Sequence, residues 1–188
     1  AVYGALVSGA RGAAVVAGLP VRRPFVDYVA WLAARDRGTE QRFWREVLAG
    51  FEAANVLPVD RVPVGSYQAR ADASVPVVLP SVVSDAVVGF ARRHRLTVNT
   101  VVQGAWALLL SRYCGVRDVC FGSTVSGRPP ELAGAGDVVG IFINTLPVRV
   151  RVDGGEPVVG WLRGLQDAQV AAREFEGSAL ADIQSWSE

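Results

Sequence analysis

The stretch Gly122-Ser123-Thr124-Val125-Ser126-Gly127-Arg128-Pro129-Pro130, continued after a short Gly-rich loop by Val139-Gly140-Ile141-Phe142-Ile143-Asn144-Thr145-Leu146-Pro147-Val148-Arg149, governs the reading of this 188-residue chain. Just before it, Val119-Cys120-Phe121 begins a short strand that runs into a loop over 126–137, where Gly and Pro punctuate the backbone. From 138 to 152 the pattern has two halves. The first is continuously apolar, as in a strand covered on both faces; in the second, Val148, Val150 and Val152 alternate with Arg149 and Arg151, as in a strand covered on one face. Asn144 and Thr145 interrupt the apolar run. A buried amide or hydroxyl costs about 1–3 kcal/mol if it lacks a partner, so both side chains must satisfy something. Spacing alone reads them as strand-end groups bonded to the backbone of a neighbouring loop.

Working outward, helical spacing is expected over Ser81 to about Arg95 and over Thr97 to Tyr113, where Gly115 ends the second helix. The apolar positions Val98, Val101, Val102, Ala105, Leu108, Leu109 and Tyr113 predict that this second helix is buried on most sides. Val75, Val77 and Leu79 alternate in a predicted strand that Pro76 demotes towards an edge. Further upstream, Phe25, Tyr28, Val29 and Leu32 predict a helix from Phe25 to about Asp36. Thr39 is expected to cap another helix, which ends at Gly50. Residues 51–66 read as a loop, 1–9 as the tail of a helix, and Pro20 and Pro24 mark a connector. Downstream, Asp153-Gly154-Gly155 turns into a last helix with Val159, Leu162 and Val170 on one face. The order mixes helices and strands without an internal repeat, and one domain or subdomain accommodates it.

Composition excludes several chemistries. The chain is 51% hydrophobic and 20% charged with mean hydropathy +0.27, as expected of a cored globular piece. All 19 basic residues are Arg, which removes the Lys of a Walker phosphate loop and the amine of a Schiff-base enzyme. A net charge of +1 with dispersed arginines gives no basic face for nucleic acid. Cys114 and Cys120 read as ordinary thiols in a reducing compartment, and with His94 the one histidine, the residues do not spell a zinc site. No GxSxG elbow or GxGxxG fingerprint occurs. His94, among Arg92, Arg93 and Arg95, suits the cationic end of a helix. Apolar runs break too soon for a membrane helix, so no membrane partner and a cytoplasmic location are expected. The chain opens inside an apolar pattern and has no Met, and is expected to belong to a longer polypeptide.

The quoted stretch resembles the SGRP-type loop and the (V/I)GxF(V/I)NT motif of condensation domains from nonribosomal peptide synthetases. Phe25-Val26-Asp27-Tyr28-Val29-Ala30-Trp31 is similar to the family's YxDYxxW motif, and Phe43-Trp44-Arg45-Glu46-Val47-Leu48-Ala49-Gly50 resembles its FWxxxLxG helix. The helix from Thr97 to Gly115 is covered as well. Phe175 to Gln184 matches a region where members carry His or Asn and then Pro; Gly177 and Ala179 stand at those two positions here. The family's HHxxxDG signature is absent, and with it the His that acts as base or electrostatic support.

The resemblance implies an α+β, chloramphenicol-acetyltransferase-like subdomain with a mixed sheet flanked by helices. Along the chain it implies an end-of-helix and connector segment (1–24), linker helices (25–66) and an incomplete C-terminal half (67–188). It also implies part of a domain that forms an amide between a carrier-bound donor thioester and an acceptor amine in antibiotic-type secondary metabolism, inactive as this chain alone. No catalytic residue is retained. Arg128 and Asn144 become active-site support: Arg128 matches an arginine that holds the HHxxxDG aspartate, and Asn144 faces the tunnel, where it bonds a substrate amide or the loop below. Ser126, Gly127, Gly140, Phe142 and Thr145 are tunnel and motif positions, and Asp27, Tyr28 and Trp31 fix the linker by packing. Implied partners are donor and acceptor peptidyl carrier proteins with their phosphopantetheine arms, the N-terminal half of the domain and an adjacent adenylation domain. Neither metal nor directly bound cofactor is implied. A WFT-like strand motif would mark the related epimerization domains, whereas Ile141-Phe142-Ile143-Asn144-Thr145 favours condensation. A stand-alone acyltransferase of the same superfamily and a non-catalytic carrier-docking half are also compatible with the resemblance.

Overall fold

Proline and glycine punctuation sets several element boundaries in the computed structural model, which describes residues 22–51, 55–58 and 75–187. The expected helix tail at 1–9, the connector as far as residue 21 and the loop region at 52–54 and 59–66 lie outside the described residues. Pro24, extended at φ −64° and ψ 144°, opens α1 (Phe25–Ala33), and Asp27 in its first turn faces the positive end of the helix dipole. Helix α2 (Arg37–Leu48) begins two residues before the expected cap. Thr39 therefore lies inside it, accepting a hydrogen bond from Arg42 at 2.9 Å. Pro80 opens α3 (Ser81–His94). The Thr97 hydroxyl accepts the Thr100 N–H at 3.0 Å to cap α4 (Val98–Cys114), and Gly115 at φ +68° closes it.

Strand β1 (Asp118–Val125) pairs antiparallel with β2 (Asn144–Arg151), from Asp118 opposite Arg151 to Val125 opposite Asn144. Between them lies a single 3-10 turn, Ala135–Asp137. Helices α5 (Val158–Arg173) and α6 (Leu180–Trp186) follow. The class is α+β, and the sheet among the described residues is this one antiparallel pair. None of the described helices is long and apolar enough to cross a membrane.

Four local expectations are corrected. Residues 75–80 form no strand; Val75, Val77 and Val78 are exposed, with prolines at 76 and 80 and no strand among the described residues paired with them. The run 138–143 is not a strand buried on both faces. Val138 and Phe142 are buried whereas Val139, Ile141 and Ile143 are exposed, so the segment hides only one side. Helix α4 buries Thr100, Gly104, Ala107, Leu110 and Ser111, while Val102, Trp106, Leu109 and Tyr113 stay exposed. Its small residues explain the choice of face: a Cβ on Gly104 would sit 2.4 Å from Leu162 Cδ2, so the helix approaches α5 closely there. In α5 the buried positions are Leu162 and Leu165, and Val170 points to solvent.

The chain divides into two compact units that are not consecutive in sequence. The first comprises the described part of Ala1–Asp36 with Ser126–Ile143; its core is Tyr28, Leu132, Ala135, Val138 and Phe142. The second comprises the described part of Arg37–Val125 with Asn144–Glu188. It has one core around Ala107, Leu110, Val119, Val150, Leu162 and Leu165, and another around Trp44, Leu48, Leu146 and Ile183.

Candidate functional site

In the first unit the linker motif and the SGRP loop share one aromatic core. The rings of Tyr28 and Phe142 lie 4.3 Å apart, Phe25 meets Phe142 edge-on at 5.5 Å, and Trp31 stacks on Tyr28 at 6.1 Å. The Tyr28 hydroxyl donates to the Gly127 carbonyl at 3.4 Å, and Asp27 pairs with Arg23 at 2.9 Å. Gly127 and Gly140 are packing requirements. Gly127 sits at φ +61°, where a Cβ would fall 1.9 Å from the Phe142 carbonyl oxygen, and a Cβ on Gly140 would fall 2.0 Å from the Phe25 ring. Ser126 is exposed. Arg128 Nη1 donates to the carbonyls of Ala135 at 2.6 Å and Val138 at 3.2 Å, while its guanidinium lies 4.1 Å over the Phe142 ring.

In the second unit Asn144 begins β2. Its Nδ2 donates to the carbonyls of Glu176 at 2.8 Å and Ser178 at 2.7 Å, and its Oδ1 accepts the Thr145 N–H at 2.9 Å. Thr145 packs beside Gly122, where a Cβ would lie 2.8 Å from Thr145 Cγ2. The two expected support residues thus belong to different units. Arg128 joins Tyr28, Gly127 and Phe142, and Asn144 joins the turn between α5 and α6.

Sequence reasoning did not single out Arg149. Its side chain is 8% exposed; Nε and Nη2 grip Asp118 at 3.0 and 2.7 Å, and Nη1 donates to the carbonyls of Val47 at 3.1 Å and Ala49 at 2.7 Å. The hydrogen bond from Arg149 holds the Asp118 carboxyl below its ordinary range against the opposing effect of burial, and Asp118 in turn raises Arg149. Nearby, burial pushes the Cys120 thiol up to about 11. The available signal was the clean alternation of Arg149 with valines in a strand whose neighbour carries Asp118.

His94 closes α3 against Phe90, with ring centroids 4.6 Å apart, and no described group of three or more His, Cys, Asp or Glu is arranged to hold a metal ion.

The sequence matches the family model described as the condensation domain over residues 13–188. The chain belongs to the condensation domain family. It is 44% identical over 171 residues to one of the linear gramicidin synthase subunits of Brevibacillus parabrevis, covering 90% of this chain and 3% of that protein. It is 42% identical over 165 residues to chondramide synthase cmdD of Chondromyces crocatus, covering 88% and 4%. The condensation domain chain thus spans a few hundredths of the length of these curated relatives. Among solved structures, the X-domain from teicoplanin biosynthesis superposes with a TM-score of 0.71 at 24% identity, covering 98% of this chain and 41% of that one. The first condensation domain of the CDA synthetase superposes with a TM-score of 0.70 at 21% identity, covering 96% and 38%. Both likenesses place the chain in the condensation-domain fold, which is chloramphenicol-acetyltransferase-like.

Proposed function

We propose that this chain forms the linker and most of the second half of a nonribosomal peptide synthetase condensation domain. The family match over 13–188 carries this reading, supported by the 44% identity to a linear gramicidin synthase subunit. The amine of an acceptor on one phosphopantetheine arm attacks the thioester carbonyl of a donor on another. The C–N bond forms, the amine loses a proton, and the C–S bond breaks to release the donor carrier's thiol. The substrate arrives already activated, so the step needs no nucleotide and no Lys; an adjacent adenylation domain performs the activation. The carrier proteins and the N-terminal half complete the assembly, which works in the cytoplasm.

Base and oxyanion support belong to HHxxxDG in the other half. This chain has a single histidine, His94, on the last turn of α3, and is inactive alone. Arg128 keeps N–H groups beyond the Nη1 used on its own loop, and its planar fork suits the HHxxxDG aspartate. Ser126, Gly127, Gly140, Phe142 and Thr145 shape the tunnel wall; Asp27, Tyr28 and Trp31 fix the linker. A catalytically incomplete carrier-docking half is the second reading, in which these residues bind a carrier protein without supporting turnover.

The test is a condensation assay with aminoacyl-loaded carrier proteins on the full polypeptide carrying this chain. Wild type is expected to form the amide, and Arg128→Ala to lower turnover at least roughly tenfold, in line with the loss of a charged hydrogen-bond partner, with a lower Tm. Wild-type turnover and Tm in Arg128→Ala would refute its assignment, and amide formation by the 188-residue chain alone would refute the split site. Carrier binding without any turnover by the full polypeptide would establish the docking reading instead.

A further inference from the structure

The segment that carries Arg128 leaves and rejoins the hairpin at one strand pair. Val125, the last residue of β1, is the register partner of Asn144, the first residue of β2, and residues 126–143 lie between them. The end of a two-stranded ladder opens most readily, because its terminal pair has a neighbour on one side only. Asn144 reinforces that end from its side chain. A primary amide has two N–H donors, and both are spent, on the Glu176 and Ser178 carbonyls; Oδ1 meanwhile accepts from Thr145 N. No donor is left for a substrate amide.

The two acceptors belong to a turn with order of its own. Glu176 N–H donates to the Arg173 carbonyl and Ser178 N–H to the Phe175 carbonyl, and Ser178 is 2% exposed. Phe175 stacks on Phe43 with ring centroids 4.2 Å apart, which ties the turn to α2. We infer that Asn144 is a positioning residue that fastens the first residue of β2 to the α5–α6 turn, and that it reaches substrate only through those segments. The fastening stands on geometry alone; its bearing on substrate rests on the condensation reading.

Backbone hydrogen exchange on the 188-residue chain tests the fastening. Asn144→Asp keeps the size and the acceptor for Thr145 N but turns a carboxylate oxygen towards two carbonyls, and Asn144→Ala removes the group. Both are expected to speed exchange at Glu176, Ser178 and the first residues of β2 roughly 10–100-fold, as expected for losing two hydrogen bonds, while Val119 and Cys120 at the far end of β1 keep their protection. Unchanged exchange over 174–179 in the two variants overturns the inference. Should neither variant fold, the wild-type side-chain NH2 of Asn144, read by selective 15N labelling, is expected to have both hydrogens protected; rapid exchange of either overturns it. In the condensing full polypeptide, Asn144→Asp is expected to lower kcat and leave acceptor KM unchanged. A raised KM with kcat and turn exchange unchanged identifies a direct ligand and overturns the positioning role. Lack of turnover in wild type refutes the proposed function and leaves the exchange test of the fastening intact.

Discussion

Arg149→Ala is expected to lower folding stability by about 2–4 kcal/mol. Truncation removes both donors that grip Asp118 and the Nη1 that serves the Val47 and Ala49 carbonyls at the end of α2. Asp118 then retains Arg151 Nε at 3.3 Å, from a side chain that is 74% exposed and contributes little. Breaking a buried pair costs about 3–5 kcal/mol, and the 32% exposure of the Asp118 side chain lowers that figure towards the stated range. Urea unfolding of wild type, Arg149→Ala, Asp118→Asn and the double variant measures the effect, and the cycle is expected to give a coupling of about 1–3 kcal/mol. Acid gives a second readout. The folded pKa of Asp118 is lowered, so its contribution is present above the unfolded value of about 3.9 and is lost as pH falls through the folded value. Below about pH 4 the stability of Asp118→Asn should therefore fall less steeply than that of wild type. A loss under about 0.5 kcal/mol in Arg149→Ala, or zero coupling, would refute the reasoning.

Two further perturbations probe the neighbouring geometry. Gly127→Ala is expected to cost about 3 kcal/mol or more, because it combines strain at φ +61° with a Cβ 1.9 Å from the Phe142 carbonyl oxygen; a loss below about 1 kcal/mol in urea unfolding would show that the backbone relaxes there. Burial raises the Cys120 thiol from 9.0 to about 11, so its contribution is complete below pH 9 and disappears as pH rises through 11. Wild type should lose about 1–2 kcal/mol over that range after allowance for partial exposure, and Cys120→Ala should not; parallel curves for the two proteins would exclude the thiol as the cause.

Elements closed by local chemistry were legible in the sequence. Pro24, Pro80, Thr97 and Gly115 act on the backbone within a turn of where they stand, and α1, α3 and α4 begin or end beside them. Elements that need a distant partner were not. Val75, Val77 and Leu79 alternate as a strand does, but no described strand pairs with them. The apolar run at 138–143 has the same composition whether it enters a ladder or lies over an aromatic core. Arg128 and Gly127 decide the outcome, one by taking up the Val138 carbonyl and the other by bringing its backbone against Phe142. The family motif located Arg128 and Asn144, and the polar break in an apolar run also indicated loop backbone as the partner of Asn144, whereas neither motif nor periodicity reveals that Arg128 serves the Ala135 and Val138 carbonyls. Arg149 was missed because its main-chain partners, Val47 and Ala49 at the end of α2, are about a hundred residues away.

Arg128, Asn144 and Arg149 nonetheless follow one rule. Each directs a single nitrogen at two main-chain carbonyls: Ala135 and Val138, Glu176 and Ser178, Val47 and Ala49. The acceptors lie at or beside the ends of regular structure, on the 3-10 turn and loop between β1 and β2, in the α5–α6 turn and at the end of α2, where carbonyls are short of ladder or helix partners; Ala135 also accepts the Val138 N–H at 3.3 Å. A side chain with two or more N–H groups satisfies such a pair with one ordered residue, whereas a hydroxyl has one donor and a carboxylate has none. The choice of Arg and Asn at these motif positions then follows from backbone bookkeeping before any catalytic demand is placed on them. Variants that remove the donors should show their effect first in the stability and exchange of the segments they hold.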